Sequence, residues 1–255
     1  MIEEFKQTLE KHLKPNLKVL VYDTVDSTNT VAKDLAKETE NTQTLVVSLS
    51  QTAGRGRKGR TFFSKGGVYI SILLFPKKTL KTALLMTVAA AVAVCRSLEK
   101  HCEKECKIKW VNDVFVDDKK VCGILTEAAS DGKNLDYAVV GIGINLERPC
   151  EDFPKEISDI ADAVFDGEIT TDKKAAVTAD VVNEFFSIYE NLEDTKFLDE
   201  YRSRSWLDGK TVTYLQGSKT HTALVAGING EGGLEVLDNG QRTVLKSGEV
   251  SVKVL

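Results

Sequence analysis

The chain predicts an α+β protein in which a mixed or antiparallel sheet domain, residues 1–206, precedes a small β-barrel, residues 207–255. Three observations carry this. Apolar residues recur at helical spacing in several separated stretches, and runs rich in Val, Ile, Leu and Tyr lie between them. From about Leu207 the pattern changes to five short β-like runs, "TVTYLQ", "HTALVAGI", "GLEVLD", "RTVLK" and "VSVKVL", split by Gly, Asn and Asp turns.

Taken in order, Ile2, Phe5, Leu9 and Leu13 share one face of a first helix, and "LKVLVY" from Leu17 reads as a strand. Ser27 is placed to cap a second helix carrying Val31 and Leu35. "TLVVSLS" (44–50) and "GVYISILLF" (67–75) are strands, the latter apolar on both faces and therefore interior to its sheet. An alanine-rich helix from about Thr79 to Lys100 covers that sheet. "KIKWV", "VFVDD", "KVCGILTEAA" and "DYAVVGIGINL" add strands, with a hairpin corner at Asp117 to Lys119. Two helices near 172–192 and 196–205 close the first domain.

With 255 residues, 42% of them hydrophobic, the chain can bury a real core. A formal charge of −4 excludes a global field for nucleic acid, so any basic cluster serves a local anion. The start, "MIEEFKQTLEKHLK", does not read as a secretory signal, and the uncharged run Thr82 to Cys95 is short for a bilayer, so a cytoplasmic protein without a membrane partner is expected. Five cysteines form no disulfide-like framework. "HCEKEC" (101–106) offers zinc donors but lacks a second spaced pair, and Cys122 reads as a small core residue.

One stretch stands apart from that acidic background. "GRGRKGRTFFSKGG" (54–67) packs Arg55, Arg57, Lys58, Arg60 and Lys65 among five glycines. Gly54, Gly56 and Gly59 match G-x-G-x-x-G, and Gly54 to Thr61 comes near a Walker loop, yet both need a helix to begin there and "TFFSKGG" leads into a strand. "GIGIN" at 141 has no third glycine. What remains is chemistry: glycine lets backbone approach a ligand, and arginine clamps phosphate or carboxylate oxygens with two parallel bonds. A solvated surface turn is the competing reading. "DSTN" (26–29) puts hydroxyls and an amide at a strand-to-helix junction, and "KWVNDVFVDDKKVCGIL" (109–125) sets Asn112 and Asp113 at a strand break with Lys120 entering the next strand. A carboxylate near a phosphate site suits Mg²⁺, and a lysine there offsets charge growing on phosphate.

In sequence, "DSTN", "QTAGRGRKGRTFFS", "KWVNDVFVDDKKVCGIL" and "VVGIGINL" closely resemble the biotin protein ligases, over about Val21 to Asn145, and the tail with "SGEVSV" is similar to that family's SH3-like domain. The resemblance implies an ATP-dependent enzyme that converts biotin to biotinyl-5′-AMP and passes it to a lysine of a biotin carboxyl carrier domain. Ser27, Thr28, Asn29, Gln51 and Gly123 would bind biotin, with Gly54 and Gly56 giving backbone room. Arg55 and Arg57 would hold the adenylate, and Lys120 would bridge carboxylate and α-phosphate. Asp113 would hold Mg²⁺, Asn112 and Asn145 would orient ATP, and Phe62 would stack on adenine. Many relatives have Pro at the Val111 position and some have Trp at Phe62. About two dozen residues precede "DSTN", where bifunctional members carry a helix-turn-helix domain, so sequence-specific DNA binding is not expected; a homodimer is left open. Two rivals stand beside this reading: a lipoate or octanoate ligase, whose R-R-x-x-G-G signature is missing, and a protein that binds biotin without turnover.

Overall fold

The computed structural model describes the chain apart from residues 1, 39–40, 77–80, 131–133, 150–152, 217–218, 247, 249 and 253–255. A helix α1 (Ile2–His12) leads into β1 (Lys18–Val25), α2 (Thr28–Glu38) and β2 (Thr44–Gln51). Next come β3 (Gly67–Leu74), α3 (Lys81–Cys102), β4 (Cys106–Lys109), β5 (Asp113–Val116), β6 (Lys119–Ser130) and β7 (Leu135–Asn145). The seven strands form one sheet in the order β1-β2-β3-β7-β6-β5-β4. Only β1 and β2 run parallel, because α2 is the crossover that a parallel pair requires; the hairpin-linked remainder is antiparallel.

Alternation along the strands divides the sheet into two faces. Leu45, Val47, Ile70, Ile72, Val140 and Ile142 belong to the large core cluster that also contains α3 and α4 (Thr171–Tyr189). Val46, Leu73 and Val139 point the other way and pack with Ala32 of α2 in a smaller cluster. The extra width of the core on the α3 side comes from three helices, since α1 and α3 both pack on α4. Every residue of β3 is buried, as expected for an interior strand. Asp117 and Asp118 take positive φ values of 51° and 60°, the conformation of a two-residue hairpin turn between Val116 and Lys119.

The tail forms a second sheet from β8 (Thr211–Gln216), β9 (Lys219–Ile228), β10 (Leu234–Asp238), β11 (Gln241–Leu245) and β12 (Val250–Val252), in the order β11-β10-β9-β8-β12. All its pairs are antiparallel, consistent with an SH3-like module. Its buried Val212, Val225, Val236 and Val250 join the main core cluster, and Trp110 Nε1 donates to Gly232 O at 2.9 Å. α5 (Phe197–Ser203) links the two sheets, with Tyr201 OH donating to Val111 O at 3.1 Å.

Two expectations are refined. The start of the alanine-rich helix at Thr79, part of "SGEVSV" and the last three residues of "VSVKVL" lie outside the described residues. And α3, at 22 residues, is long and apolar enough by composition to cross a membrane, contrary to the length argument drawn from its uncharged run. What places it inside is packing: Val88 to Cys95 are all fully buried against the sheet and α4. "HCEKEC" is the helix-to-strand joint, where His101 Nε2 lies 3.0 Å from Asp180 Oδ2 and the Cys106 N–H donates to Glu99.

Candidate functional site

The face of the sheet beneath α2 carries a row of small residues. Strand register sets Ser71 of β3 beside Gly141 of β7, which sits beside Leu125 of β6; in the next row Tyr69, Gly143 and Gly123 are side by side. These residues share one face, so the three glycines make a floor without side chains, on which the N-terminus of α2 rests. A Cβ at Gly141 would collide with the Asn29 amide. The "GIGIN" glycines, which failed as a phosphate motif, thus serve as a flat surface, and their alternate spacing in a strand was the available signal.

Above this floor lies a cavity of about 270 Å³. Its blind end is a connected polar wall. The Thr28 N–H donates to Gln51 Oε1 at 2.9 Å, Gln51 Nε2 to Ser64 Oγ at 2.9 Å, and Ser64 Oγ to the Phe62 carbonyl at 3.0 Å. On the other side Ser71 Oγ lies 2.8 Å from Thr28 Oγ1 and donates to Asn29 Oδ1 at 2.6 Å. Asn29 Nδ2 donates in turn to Glu127 Oε2 at 2.9 Å. Burial pushes the Glu127 carboxyl up, but hydrogen bonds from Asn29 and Lys33, with the charges of Lys33 and Arg55, outweigh it and leave the group below the usual carboxylate range. Ser64, Ser71 and Glu127 escaped sequence reading because nothing local marks a serine or glutamate in a strand.

The mouth is charged. A bulge decides this: Val114 pairs with Cys122 but Phe115 with Lys120, so Val121 is an extra residue that resets the alternation of β6. Val121 and Cys122 both enter the core, and Lys120 lines the cavity with Gly123. Lys120 Nζ lies 2.8 Å from Asp113 Oδ1, which also accepts from Asn112 Nδ2 at 3.1 Å. Cys122, facing away, has its thiol pushed up by burial, as a core residue should. Asn145 is 5% exposed and donates through Nδ2 to Asp162 O at 3.2 Å, but its Oδ1, buried on the cavity wall, has no hydrogen-bond partner among the described residues.

The glycine and arginine loop folds back as a narrow hairpin. The Phe62 N–H donates to Gly54 O, the Gly56 N–H to Arg60 O, and Lys58 and Gly59 turn the chain with positive φ. Arg57 donates to Asn112 Oδ1 at 2.8 Å and to Gly248 O at 2.7 Å, and Arg55 reaches Glu127 Oε1 at 3.2 Å. Ser27, Thr28, Asn29, Gln51, Arg55, Gly56, Arg57, Phe62, Asn112, Asp113, Lys120, Gly123 and Asn145 all line the one cavity. Gly54 does not: it is packed behind the wall, where a Cβ would strike Phe62 O and Ser64 Oγ, so the backbone room it supplies serves the loop's own closure. The Phe62 ring lies over the glycine floor, within 2.9 Å of where a Gly123 Cβ would stand, and stacking on a purine would require it to leave that position.

A cavity with a hydrogen-bonding blind end, a flat glycine floor and a cationic mouth offers polar partners at one end and positive charge at the other. Residues 21–145 match the model of the biotin/lipoate A/B protein ligase family. The bifunctional ligase/repressor BirA of Bacillus subtilis is 39% identical over 145 residues, 56% of this chain and 45% of that protein. The biotin–[acetyl-CoA-carboxylase] ligase of Paracoccus denitrificans is 36% identical over 48% of this chain and 51% of its own length. The match thus spans about half of these relatives or less. Biotin protein ligase from Aquifex aeolicus in complex with biotin and ATP superposes with a TM-score of 0.74 at 28% identity, covering 92% of this chain and 98% of that one.

Proposed function

We propose that the protein activates biotin with ATP and transfers it to a lysine of a biotin carboxyl carrier domain. The observation that supports this best is the cavity itself, which joins the Thr28, Asn29 and Gln51 wall to Lys120, Arg57 and an Asn145 Oδ1 with no partner among the described residues in one space. A biotin carboxylate oxygen attacks the α-phosphorus of ATP and the bond to the β-phosphate breaks, releasing pyrophosphate. The lysine amine of the carrier then attacks the acyl carbon of biotinyl-5′-AMP, and AMP departs.

In this reading Ser27, Thr28, Asn29, Gln51 and Gly123 hold the ureido ring, and the floor of Gly141 and Gly143 accepts its flat face. Lys120 exchanges its contact with Asp113 for the reacting carboxylate and phosphate, countering charge that grows between them. Arg55 and Arg57 retain the adenylate, Asn112 and Asn145 orient the nucleotide, and Phe62 moves off the floor to meet adenine. Asp113 is the one carboxylate among the described residues that line the cavity, a donor set that suits Mg²⁺ held largely through phosphates. When bound, the ion would neutralise part of the triphosphate charge. We further assign residues 1–206 to the catalytic domain and 207–255 to an SH3-like domain that supports the loop through Gly248. The DNA-binding and membrane partners have no place in this reading.

Biotin-dependent ATP–pyrophosphate exchange with Mg²⁺, run beside lipoate and a no-acid control, tests the first step. Exchange with biotin alone is expected, followed by labelling of an added carrier domain. Exchange with lipoate would move the protein to the sister activity, and tight biotin binding without exchange would make it a non-catalytic binder.

A further inference from the structure

The floor of the cavity does not stop at its glycines. Register carries one row of residues across five strands: Tyr69 of β3, Gly143 of β7, Gly123 of β6, Asp113 of β5 and Lys109 of β4. Register partners share a face, and all five line the cavity. β4 is the last strand of the sheet, so Lys109 stands two strand spacings beyond Gly123, roughly 10 Å. Its side chain is half-buried, forming part of the cavity wall while still meeting solvent. Past it, residues 204–206 run along the edge of β4, with the Ile108 N–H donating to Arg204 O and the Trp206 N–H to Ile108 O. Positive charge gathers at this corner from two directions. Burial holds the Lys210 ammonium below its ordinary value, Asp118 opposes this, and the charge of Lys109 adds to it.

In the reaction proposed above the adenylate must stay and the pyrophosphate must go. Displacement at the α-phosphorus is in line: the carboxylate oxygen enters on one side, and the oxygen shared with the β-phosphate leaves on the other with the bonding electron pair. With the ring on the glycine floor and Lys120 at the reacting carboxylate, the direction away from the floor along this row leads to Asp113 and then Lys109. We propose that Lys109 binds the pyrophosphate part of ATP, countering the charge that bond breaking leaves there, and that the product departs past it rather than through the loop of Arg55 and Arg57. The proposal rests on the biotin and ATP reading of the cavity. A cation on a strand suits this division of labour. Arg55 and Arg57 have to stay closed over the adenylate, and a leaving group held by them alone could not depart without opening the loop. Asp113, paired with Lys120 at 2.8 Å, stands between the two lysines, so each faces a different part of the triphosphate.

The test uses the full chain with Mg²⁺ and measures the two half-reactions apart. Lys109→Met keeps the length of the side chain and removes its charge. In ATP–pyrophosphate exchange its KM for pyrophosphate and for ATP should rise about ten- to a hundredfold, the range set by one hydrogen bond to a charged group. Transfer from pre-formed biotinyl-5′-AMP to an added carrier domain involves no pyrophosphate and should keep its rate. Lys109→Arg should recover most of the lost pyrophosphate affinity, because it restores a phosphate-binding charge. Equal slowing of both half-reactions would make Lys109 a prop of the β4–β5 corner and overturn the proposal, and so would an unchanged KM for pyrophosphate. Leakage of biotinyl-5′-AMP from Lys109→Met, seen as labelling of bystander lysines, would assign it to the adenylate instead of the leaving group. Absence of biotin-dependent exchange in the unaltered protein would overturn the reading of the cavity itself, and the leaving group with it.

Discussion

At the blind end of the cavity Thr28, Asn29 and Ser71 are at most 4% exposed, and each has two or more hydrogen-bond partners on other elements. At the mouth, the Arg55 side chain is 46% exposed and Lys58 and Gly59 carry the chain around a turn with positive φ. The first region is determined several times over, so a ligand meets donors and acceptors already aimed. The second is held by contacts a phosphate can replace, and a loop of this kind can open and reclose around a reactive intermediate. In the proposed function, recognition and retention thus fall on parts of different stiffness.

The largest effect should come from where the two regions meet. Lys120→Ala is expected to slow pyrophosphate exchange by about 10²- to 10³-fold, while biotin affinity changes only a few-fold; normal exchange would remove Lys120 from the chemistry. Next comes a pair of glycine substitutions that sets one region against the other. Gly141→Ala drives a methyl into Asn29, and overpacking of this kind costs about 1–3 kcal/mol, so both the melting temperature and biotin binding should fall. Gly59→Ala has open space around its Cβ and only its φ of 75° to pay for, about 1 kcal/mol, with biotin affinity intact. Equal losses in the two would erase the contrast in stiffness.

Arg57→Gly removes the bonds to Asn112 and Gly248 and leaves the blind end untouched. It should bind biotin normally but release biotinyl-5′-AMP, read as labelling of bystander lysines without a carrier; labelling confined to the carrier would exclude the retention role. The smallest effect concerns acid. Because the Glu127 carboxyl is held below its ordinary value, its contribution to stability is present above the unfolded pKa, about 4.3, and is lost as pH falls through the lower folded value. The melting-temperature gap between the unaltered protein and Glu127→Gln should therefore be widest near pH 7 and shrink below about pH 4. A gap that widens in acid would contradict the assigned ionisation.

Much of this is legible in the sequence. Helices and strands followed from periodicity, and the corner at Asp117 followed from its turn residues, because both signals are local. The cavity-lining residues Thr28 and Gln51, at the ends of α2 and β2, and Arg57 and Asn112 on loops stand in motifs whose residue types suit a polar or anionic ligand. Gly54 was misplaced for a different reason: a glycine that lets a ligand approach and one that lets its own loop close look alike in sequence.

The amino-acid order alone determined which segments would be helix or strand, which would be buried, and that a basic, glycine-rich loop sits in an acidic chain. Each of those is set by near neighbours and by the balance of apolar and charged side chains. Only the tertiary structure decided that Ser71 and Glu127, 56 positions apart, lie on the same face as Gly141 and Asn29, because strand register across β3, β7 and β6 is a long-range choice. It also decided, through one extra residue at Val121, that Lys120 faces the cavity rather than the core. A shift of one position in a strand turns a side chain to the opposite face, and no local pattern records where that shift falls.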